Sequence, residues 1–151
     1  MCQSMATCVA PDKTITGIHR TFLRDDGKAK APVSDAKLTL GLCRCGGVRL
    51  APAGNKIAIS EGIETGLSVM QSTGLPTWAA LSAGGIERLI LPPLPLASDV
   101  LIAADNDASG TGRNAAEKAA IRWLEEGRKV QIAIPPCVGT DFNDILLEAV
   151  A

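Results

Sequence analysis

The sequence predicts an α/β sandwich with a central, mostly parallel sheet of four strands and an N-terminal β-hairpin region packed against one edge. From residue 56 onward, short apolar runs alternate with segments of helical composition, which is typical of strand-helix-strand units. Before that point, alternating residues and turn signals indicate hairpins. Hydrophobic residues make up 46% of the 151 residues, enough to bury one principal core. We therefore divide the chain into a basic, β-rich segment at 1–55 and an α/β domain at 56–151.

The N-terminal segment has the weaker pattern. Residues 1–13 show no periodicity and are expected to be a frayed lead-in or the remnant of a preceding domain. Residues 15–23 alternate in polarity and Asp26-Gly27 is a turn signal, so a hairpin is expected through residues 24–27. Residues 46–52 provide a further short strand.

The α/β domain has the clearer pattern. Short apolar runs bounded by Gly, Pro or polar residues predict strands at residues 56–60, 77–81, 99–105 and 129–134. Helices are expected at residues 63–74, 110–127 and 141–150. Gly74 and Gly127 stand where C-terminal caps belong. Trp78 and Trp123 are expected to pack rather than to stack on bases.

Carboxylates stand just after three of the predicted strands. They are Glu61 after the first, Asp105 and Asp107 after the third, and Asp141 with Asp144 after the fourth. Because the carboxyl ends of parallel strands meet in one crevice, these acids should lie close together and repel one another. An all-oxygen cluster without His or Cys suits Mg²⁺ or Mn²⁺ rather than zinc, and it implies metal-assisted phosphoryl transfer.

Each acidic motif also has a purely structural interpretation. Asp107 and Asp141 could simply cap the helices that follow them. Gly62 would let the backbone turn sharply after the strand, and Gly110 would open a helix start whose free N–H groups favour phosphate. The coincidence of acidic motifs at three strand ends favours a metal-dependent function.

The acidic segments resemble the Toprim domain, which primases, topoisomerases, and certain nucleases and recombination proteins share. The resemblance is closest to phage- and plasmid-type primases and primase-helicases. SEGIETGLSV resembles the first motif, IAADNDASG the D-x-D motif, and KVQIAIPPCVGTDFNDIL the third segment of the primase-like members. GIHRTFLRDDGKAK followed by GGVRLAP resembles the stretch before the domain, so residues 1–55 would be the end of a preceding primase region.

The resemblance implies a role for each acid. Glu61 would be the general acid or base, and Asp105 and Asp107 would bind Mg²⁺ or Mn²⁺. Asp141 would be a further metal ligand, with Asp144 as a possible additional contributor.

One position departs from the family pattern. Many primases carry another acid four residues after the motif glutamate, where this chain has Thr65. Either Glu64 substitutes as a ligand, or a second metal is held less completely. Glu64 is equally interpretable as a solvent-facing helix residue.

The implied activity is that of a primase-type nucleotidyl transferase. It would make RNA primers on a single-stranded DNA template from nucleoside triphosphates during DNA replication, beside a replicative helicase in cis or in trans. The alternatives are a metal-dependent nuclease and a noncatalytic DNA-binding or protein-docking module. Glu61 argues against the last, because a binding module needs no acid-base residue.

Two features that the sequence lacks exclude some activities of the family. The chain has no tyrosine, so it cannot supply the nucleophile with which Toprim topoisomerases cleave DNA. It also has no G-x-x-x-x-G-K-[ST] loop, so it does not itself contain the ATP motor of a helicase.

Basic residues are concentrated before the acidic motifs. Residues 1–56 hold nine Lys or Arg and four Asp, whereas residues 57–151 hold six Lys or Arg and twelve acids. This bias suits a phosphate-rich partner, although a solvated basic surface produces it too. Arg44 and Arg49 are predicted to line the path of the nucleic acid, and Arg113 to meet a nucleotide triphosphate near a helix start.

The cysteines and the hydropathy pattern predict the environment of the protein. The five cysteines are odd in number and form no paired C-x-x-C framework, so free, reduced thiols are expected rather than a zinc site. No long apolar run suggests a membrane span. A soluble, cytoplasmic protein is expected.

Overall fold

The computed structural model describes residues 2–43 and 45–149. Its strands are β1 (Cys2–Val9), β2 (Ile15–Leu23), β3 (Lys37–Gly41), β4 (Gly47–Arg49), β5 (Lys56–Ser60), β6 (Thr77–Ala79), β7 (Asp99–Ala103) and β8 (Lys129–Ala133). Its helices are α1 (Ile63–Thr73), α2 (Ala83–Arg88), α3 (Thr111–Glu125) and α4 (Phe142–Ala149). Within the described residues the strands form one sheet in the order β3-β2-β1-β4-β6-β5-β7-β8.

The parallel half of the sheet consists of β6, β5, β7 and β8, as the sequence predicts. Ala58 of β5 pairs with Leu101 of β7, which pairs with Gln131 of β8. Both faces of the central strand are buried: Ile59 packs toward α2 and α3, and Ala58 packs with Val69 of α1. This double burial explains why the strand is a continuous apolar run rather than an alternating one.

Helix α3 lies close to the sheet because its buried stripe is made of small side chains. That stripe contains Ala115, Ala116, Ala119 and Ala120. Trp123 at its end is fully buried, and Trp78 packs in the same cluster, so both tryptophans pack in the core as predicted. None of the helices in the described part of the chain is long and apolar enough to cross a membrane.

The expectation that residues 1–13 form a frayed lead-in is wrong. Residues Cys2–Val9 form β1, which pairs antiparallel along its length with β2. The alternation is hard to see in the sequence because the side chains that β1 turns inward, such as Ala6 and Cys8, are small. The predicted turn at residues 24–27 does form, with Gly27 N donating to Arg24 O, but the strand that returns beside β2 begins only at Lys37.

The sequence predicts that the N-terminal hairpin region packs against one edge of the sheet. In the structure these strands are instead a continuation of the sheet. Strand β4 joins the halves, because Val48 pairs antiparallel with both Cys8 of β1 and Ala79 of β6. Four antiparallel-linked strands thereby extend the four parallel strands into an eight-stranded sheet within the described residues. Basic residues of the N-terminal segment are consequently fixed relative to the acidic motifs.

The prediction of free thiols is wrong for two cysteines. Cys8 and Cys43 form a disulfide with a Cα–Cα distance of 5.5 Å. Cys8 lies at the end of β1 and Cys43 follows β3, so the antiparallel pairing of the two strands with β2 brings together residues 35 positions apart. Cys2, Cys45 and Cys137 are free.

Candidate active site

The loops that carry the acids meet at the carboxyl edge of the parallel strands. The loop after β7 is tied to the loop after β8 through Asn106, whose N donates to Thr140 O at 3.2 Å. Gly139 N donates in return to Asn106 O at 2.6 Å, and Asn106 Nδ2 donates to Pro135 O at 2.8 Å. Asn106 thus ties the two loops together, and this connection brings Asp105 within electrostatic reach of Asp141 at the start of α4.

Asp105 is the electrostatic centre of the cluster. Partial burial first, and then the negative charges of Glu61, Asp141 and Asp107, together raise its pKa from 3.8 to about 6, although the charge of Lys37 acts in the opposite direction. Its Oδ1 is buried and accepts no hydrogen bond from any described residue. The charges of all three acidic motifs predicted from the sequence therefore act on Asp105, whose buried Oδ1 has no partner among the described residues.

Asp107 has the opposite environment although it stands only two residues away. Its carboxylate accepts hydrogen bonds from the Ser109 hydroxyl, from Thr111 N at 3.1 Å and from Gly112 N at 2.7 Å. These donors, the Ser109 hydroxyl first, lower the pKa of Asp107 from 3.8 to about 2. Asp107 is therefore ionised at neutral pH and caps the start of α3, as the structural interpretation predicts.

Two glycines shape this helix start, and one of them was not among the predicted site residues. Gly110 has φ 71°, a left-handed backbone that favours glycine. A Cβ on Gly112 would lie 2.8 Å from Asp105 O and 3.1 Å from Asp107 Oδ2. Gly112 therefore lets the first turn of α3 approach both aspartates, a requirement that only the three-dimensional contact reveals.

Asp141 and Asp144 cap α4 reciprocally. Asp141 Oδ1 accepts from Asn143 N at 2.7 Å and from Asp144 N at 3.0 Å, and Asp141 N donates to Asp144 Oδ2 at 3.0 Å. The predicted cap at Asp141 is confirmed. Its other oxygen, Oδ2, accepts from the Thr65 hydroxyl at 3.2 Å, so Thr65 connects α1 to this carboxylate.

Glu61 lies at the end of β5, facing the start of α2. Burial and the charge of Asp107 raise the pKa of Glu61, while a hydrogen bond from the Ala83 backbone and the charge of Lys37 act in the opposite direction. A carboxyl whose pKa is raised toward neutrality can both accept and release a proton, which is the property that acid-base catalysis requires.

The backbone bends at Glu61 and Gly62 as predicted, but the bend does not require a glycine at position 62. The backbone of Gly62 itself is extended, with φ −91° and ψ 157°, a conformation open to any residue. A Cβ there would meet Thr65 Oγ1 at 3.6 Å, an ordinary contact. Gly62 instead stands at the N-cap of α1 without a side-chain cap.

Glu64 is not a free solvent-facing residue, because it is held in an ion pair. Its Oε2 accepts a hydrogen bond from Lys37 Nζ at 2.9 Å, and Lys30 Nζ lies 3.8 Å from Oε1. Burial disfavours its charged form, but the hydrogen bond and the charges of the two lysines outweigh burial and lower its pKa.

Lys37 is the cation of this site that sequence reasoning missed. Its charge lowers the pKa of Glu61 and Asp105 as well as that of Glu64. It opens β3, the edge strand whose pairing the turn signals did not predict, so nothing in the local sequence placed it beside α1.

The three predicted arginines have different positions. Arg44 lies outside the described residues. Arg49 stacks 4.5 Å from the ring centre of Trp78 and donates from Nη2 to Ala10 O at 2.7 Å, so its known contacts hold β4 rather than the acids. Arg113 is exposed on the first turn of α3, close in sequence to Asp107. Nucleic-acid or nucleotide contact by any of the three stays a prediction.

The sequence profile of the Toprim domain matches residues 56–151. The chain belongs to the Toprim domain family. Residues 3–50, ahead of the Toprim domain, match a domain of unknown function (DUF7146). No curated protein is detectably similar in sequence.

Solved primase structures share the fold. A DNA primase domain from Pseudomonas aeruginosa superposes with a TM-score of 0.60 at 18% identity, over 97% of this chain and 47% of that one. The RNA polymerase domain of Mycobacterium tuberculosis primase DnaG gives 0.58 at 16% identity, over 97% and 51%. A DnaG primase catalytic domain bound to ssDNA gives 0.64 at 16% identity, over 97% and 48%.

These similarities show the fold and do not by themselves assign an activity. The chain spans about half the length of the primase structures that it matches. The α/β Toprim-like fold predicted from the sequence is confirmed, and the structural similarity to the primase domain extends over the N-terminal strands as well, because 97% of the chain is covered.

The acids of this Toprim domain suit a hard divalent cation in chemistry, although they do not form a ready-made cage. Toprim domains generally bind divalent metal ions. Among residues 2–43 and 45–149, no three His, Cys, Asp or Glu side chains are grouped closely enough to hold a metal. The unpartnered Asp105 Oδ1, surrounded by further carboxylates, nevertheless offers the oxygen ligand that Mg²⁺ or Mn²⁺ prefers.

Proposed function

We propose that this chain carries the catalytic site of a DNA primase-type nucleotidyl transferase, which makes RNA primers on single-stranded DNA in a reaction that depends on Mg²⁺ or Mn²⁺. The observation that carries the proposal is the partly buried carboxylate of Asp105, which has an unpartnered oxygen and three acidic neighbours. A purely structural aspartate at that position would be expected to have a hydrogen-bond donor.

Each acid has a distinct part in the proposed site. Asp105 and Asp107 would hold the cation, with Asp141 as a further ligand, and Asp144 would support Asp141 through the reciprocal cap. The bound cation would neutralise the charge of the triphosphate during nucleotidyl transfer. The helix-cap bonds of Asp107 and Asp141 leave lone pairs on their oxygens, so capping and metal binding are compatible.

Glu61 is the proposed general acid or base. Its raised pKa results from its place between the end of β5 and the start of α2, where burial and Asp107 both disfavour its charge. The proton that Glu61 accepts would come from the primer 3′ hydroxyl as that oxygen attacks the α-phosphorus of the incoming triphosphate, and the bond to the β-phosphate would break to release pyrophosphate.

Lys37 would partly neutralise the negative charge of the acids. It lies within electrostatic reach of Glu61 and Asp105 while it is hydrogen-bonded to Glu64. Glu64 is thus committed to an ion pair, which favours the alternative that a second metal is held less completely. Thr65, at the position of the missing family acid, donates a hydrogen bond from its hydroxyl to Asp141 and does not supply the carboxylate that a second metal would need.

The proposed partners are a single-stranded DNA template and nucleoside triphosphates, with Arg44, Arg49 and Arg113 as candidate phosphate contacts. Similarity to a DnaG domain whose structure holds ssDNA supports the template. The same proposal includes four further parts. They are a domain division at residue 55, an origin in a phage or plasmid primase-helicase, a helicase partner and a cytoplasmic location.

A single gel assay tests the function. The chain is incubated with single-stranded DNA, labelled nucleoside triphosphates and Mg²⁺ or Mn²⁺, and both synthesis and cleavage are scored. We expect primer synthesis that chelator abolishes. Cleavage without synthesis would show that the protein is a nuclease rather than a primase. If neither activity is seen, the noncatalytic binding module would be the remaining alternative.

The variant Glu61→Gln tests the acid-base assignment. It should lower synthesis by a factor of about 10² to 10⁴, because the amide keeps the shape and loses the titrating group. Its unfolding temperature and its response to Mn²⁺ should stay close to wild type. Glu117→Gln, at an exposed position on α3, is the matched control and should leave synthesis unchanged. Wild-type synthesis by Glu61→Gln would remove Glu61 from the mechanism.

A further inference from the structure

The three N-terminal strands turn their apolar side chains to the outside of the molecule. We define the outer β face as Met5 of β1, Ile18, Arg20 and Phe22 of β2, and Leu38 and Leu40 of β3. Met5 is 65% exposed and Leu40 is 76% exposed, while Ile18 and Leu38 are each 41% exposed. The register places these residues side by side, because Arg20 pairs with both Met5 and Leu38, and Ile18 pairs with Leu40.

The opposite face of the same strands is the one that the protein already covers. There the polar His19 and Thr21 are buried, and they line a small cavity with Ile63 and Leu67 of α1. His19 Nδ1 lies 3.0 Å from Thr39 Oγ1, so this polar face is satisfied internally. A sheet exposed to water on one face normally has aliphatic residues on its inner face and polar residues on its outer face. These strands have the reverse arrangement.

The outer β face lies on the side of the sheet that α2 and α3 cover farther along. Strand alternation assigns the sides: Ala79 packs toward Ile63 of α1, and its neighbour Trp78 packs toward α2 and α3. The helical layer therefore covers the parallel strands and stops, while the sheet continues through β4 to β1, β2 and β3. An apolar sheet face is stabilised by a further packed layer, and the layer already present on this side is helical.

The charge of the outer β face indicates the character of that layer. Arg20 stands in the middle of the aliphatic residues, 4.5 Å from the ring centre of Phe22, and makes no ion pair with another residue in 2–43 or 45–149. Lys30 and Lys37 of the surrounding segment pair with Glu64 of α1, so Arg20 is the charge that the six residues of the outer β face carry. A shallow depression of about 360 Å³ lies among Met5, Ile18, Arg20 and Leu40.

We propose that the outer β face is a docking surface for an acidic amphipathic helix of another polypeptide segment, which extends the α2/α3 layer across β1, β2 and β3. Its apolar side would pack on Met5, Ile18, Leu38 and Leu40, and a carboxylate at its margin would pair with Arg20. The face has four aliphatic residues and one aromatic ring, Phe22, which Arg20 already covers, and this composition favours a protein helix over nucleic acid, whose bases prefer aromatic platforms.

The test uses the whole chain and a defined probe. The probe is a synthetic helix of about 18 residues with leucines along one side and glutamates along the other, and its matched partner carries lysines instead of glutamates. Binding is followed by methyl NMR of the chain. We expect the glutamate helix to shift the methyl signals of Met5, Ile18, Leu38 and Leu40, and the lysine helix to bind at least tenfold more weakly.

Two variants and a control locate the contact. Leu38→Ser with Leu40→Ser should weaken the glutamate helix at least tenfold, and Arg20→Glu should reverse the preference between the two helices. Ile121→Ser with Leu124→Ser removes two comparably exposed residues from α3 and should leave binding unchanged. Circular dichroism checks folding, and Leu40→Ser alone serves if the double variant misfolds.

Four outcomes overturn the proposal. They are failure of the glutamate helix to bind, equal weakening by the α3 control, dimerisation that Leu38→Ser with Leu40→Ser abolishes, and shifts of the same methyl groups by a single-stranded oligonucleotide. The third would assign the face to a second copy of the chain, and the fourth to nucleic acid.

Discussion

Two loops at the carboxyl edge of the sheet carry aspartates that look alike in sequence and differ in structure. In the loop after β8, Asp141 and Asp144 cap each other's backbone N–H groups at 3.0 Å. In the loop after β7, Asp107 is a similarly satisfied cap, but Asp105 has a buried oxygen without a donor. Position at a strand end therefore predicts where an acid lies. It does not predict whether the acid is already satisfied, and the unsatisfied one is the stronger candidate for a ligand.

The largest expected difference between the loops concerns metal binding. Asp105→Asn should reduce Mn²⁺ affinity by at least tenfold, a loss seen even for groups that only support metal ligands, and should abolish primer synthesis. Asp144→Ala should keep most of the affinity, because it removes only one hydrogen bond of the cap. Calorimetry with Mn²⁺ measures both.

Equal losses of Mn²⁺ affinity in Asp105→Asn and Asp144→Ala would break the comparison, because both loops would then bind metal in the same way. Unchanged affinity in Asp105→Asn would place the cation elsewhere. Thermal unfolding without metal is the control, and it should show that Asp105→Asn is folded.

The second expected effect concerns the approach of α3 to the aspartates. Gly112→Ala places a Cβ 2.8 Å from Asp105 O, a backbone atom that cannot move aside freely. It should cost about 1–3 kcal/mol of unfolding free energy and weaken Mn²⁺ binding. Gly62→Ala is the matched control, since its Cβ would meet only an ordinary contact at 3.6 Å, and it should cost less than about 1 kcal/mol. Urea denaturation distinguishes them, and a harmless Gly112→Ala would show that the loop relaxes.

The pH dependence of stability separates Asp105 from Asp107. The folded pKa of Asp105, about 6, lies above the ordinary 3.8, so its contribution to stability is fully present below pH 3.8 and is lost as pH rises through 6. Asp107 has the reverse sign: its folded pKa of about 2 gives stability above pH 3.8 that is lost as pH falls toward 2. In EDTA, the stability of wild type relative to Asp105→Asn should therefore fall between pH 4 and 6.

Urea denaturation of both proteins across that range measures the difference. A flat difference between pH 4 and 6 would mean that Asp105 is solvated and titrates normally. Saturating Mn²⁺ should remove the fall in stability, because a bound cation stabilises the ionised carboxylate.

Sequence reasoning found the parallel half of the fold and missed the antiparallel half for a physical reason. Strands β5 and β7 are apolar on both faces and stand out, whereas β1 buries only small residues and β2 buries the polar His19. The disulfide between Cys8 and Cys43 and the extension of the sheet through β4 depend on that unrecognised pairing.

The same distinction applies to the candidate site. The acids could be placed because each follows a recognisable strand, and the cap at Asp141 follows from its position before α4. Lys37 and Gly112 could not, because their importance lies in contacts with residues far away in the sequence or in the space available to a side chain. The local sequence pattern thus predicts where a side chain lies in the fold. Its environment is determined by tertiary contacts, which the local pattern does not show.

The smallest expected effect separates the two roles of Asp141. Asp141→Ala should cost about 1 kcal/mol of unfolding free energy, because α4 loses its N-cap, and Asp141→Ser should recover most of that loss with a hydroxyl that accepts the same N–H bonds. If Asp141 is only a cap, Asp141→Ser should also restore Mn²⁺ affinity and synthesis. If it is a metal ligand as proposed, the serine variant should be stable and still bind Mn²⁺ more weakly than wild type, since the charge that faces Asp105 is gone. Urea denaturation and calorimetry on the same two proteins decide between a loop that only starts a helix and a loop that shares the cation.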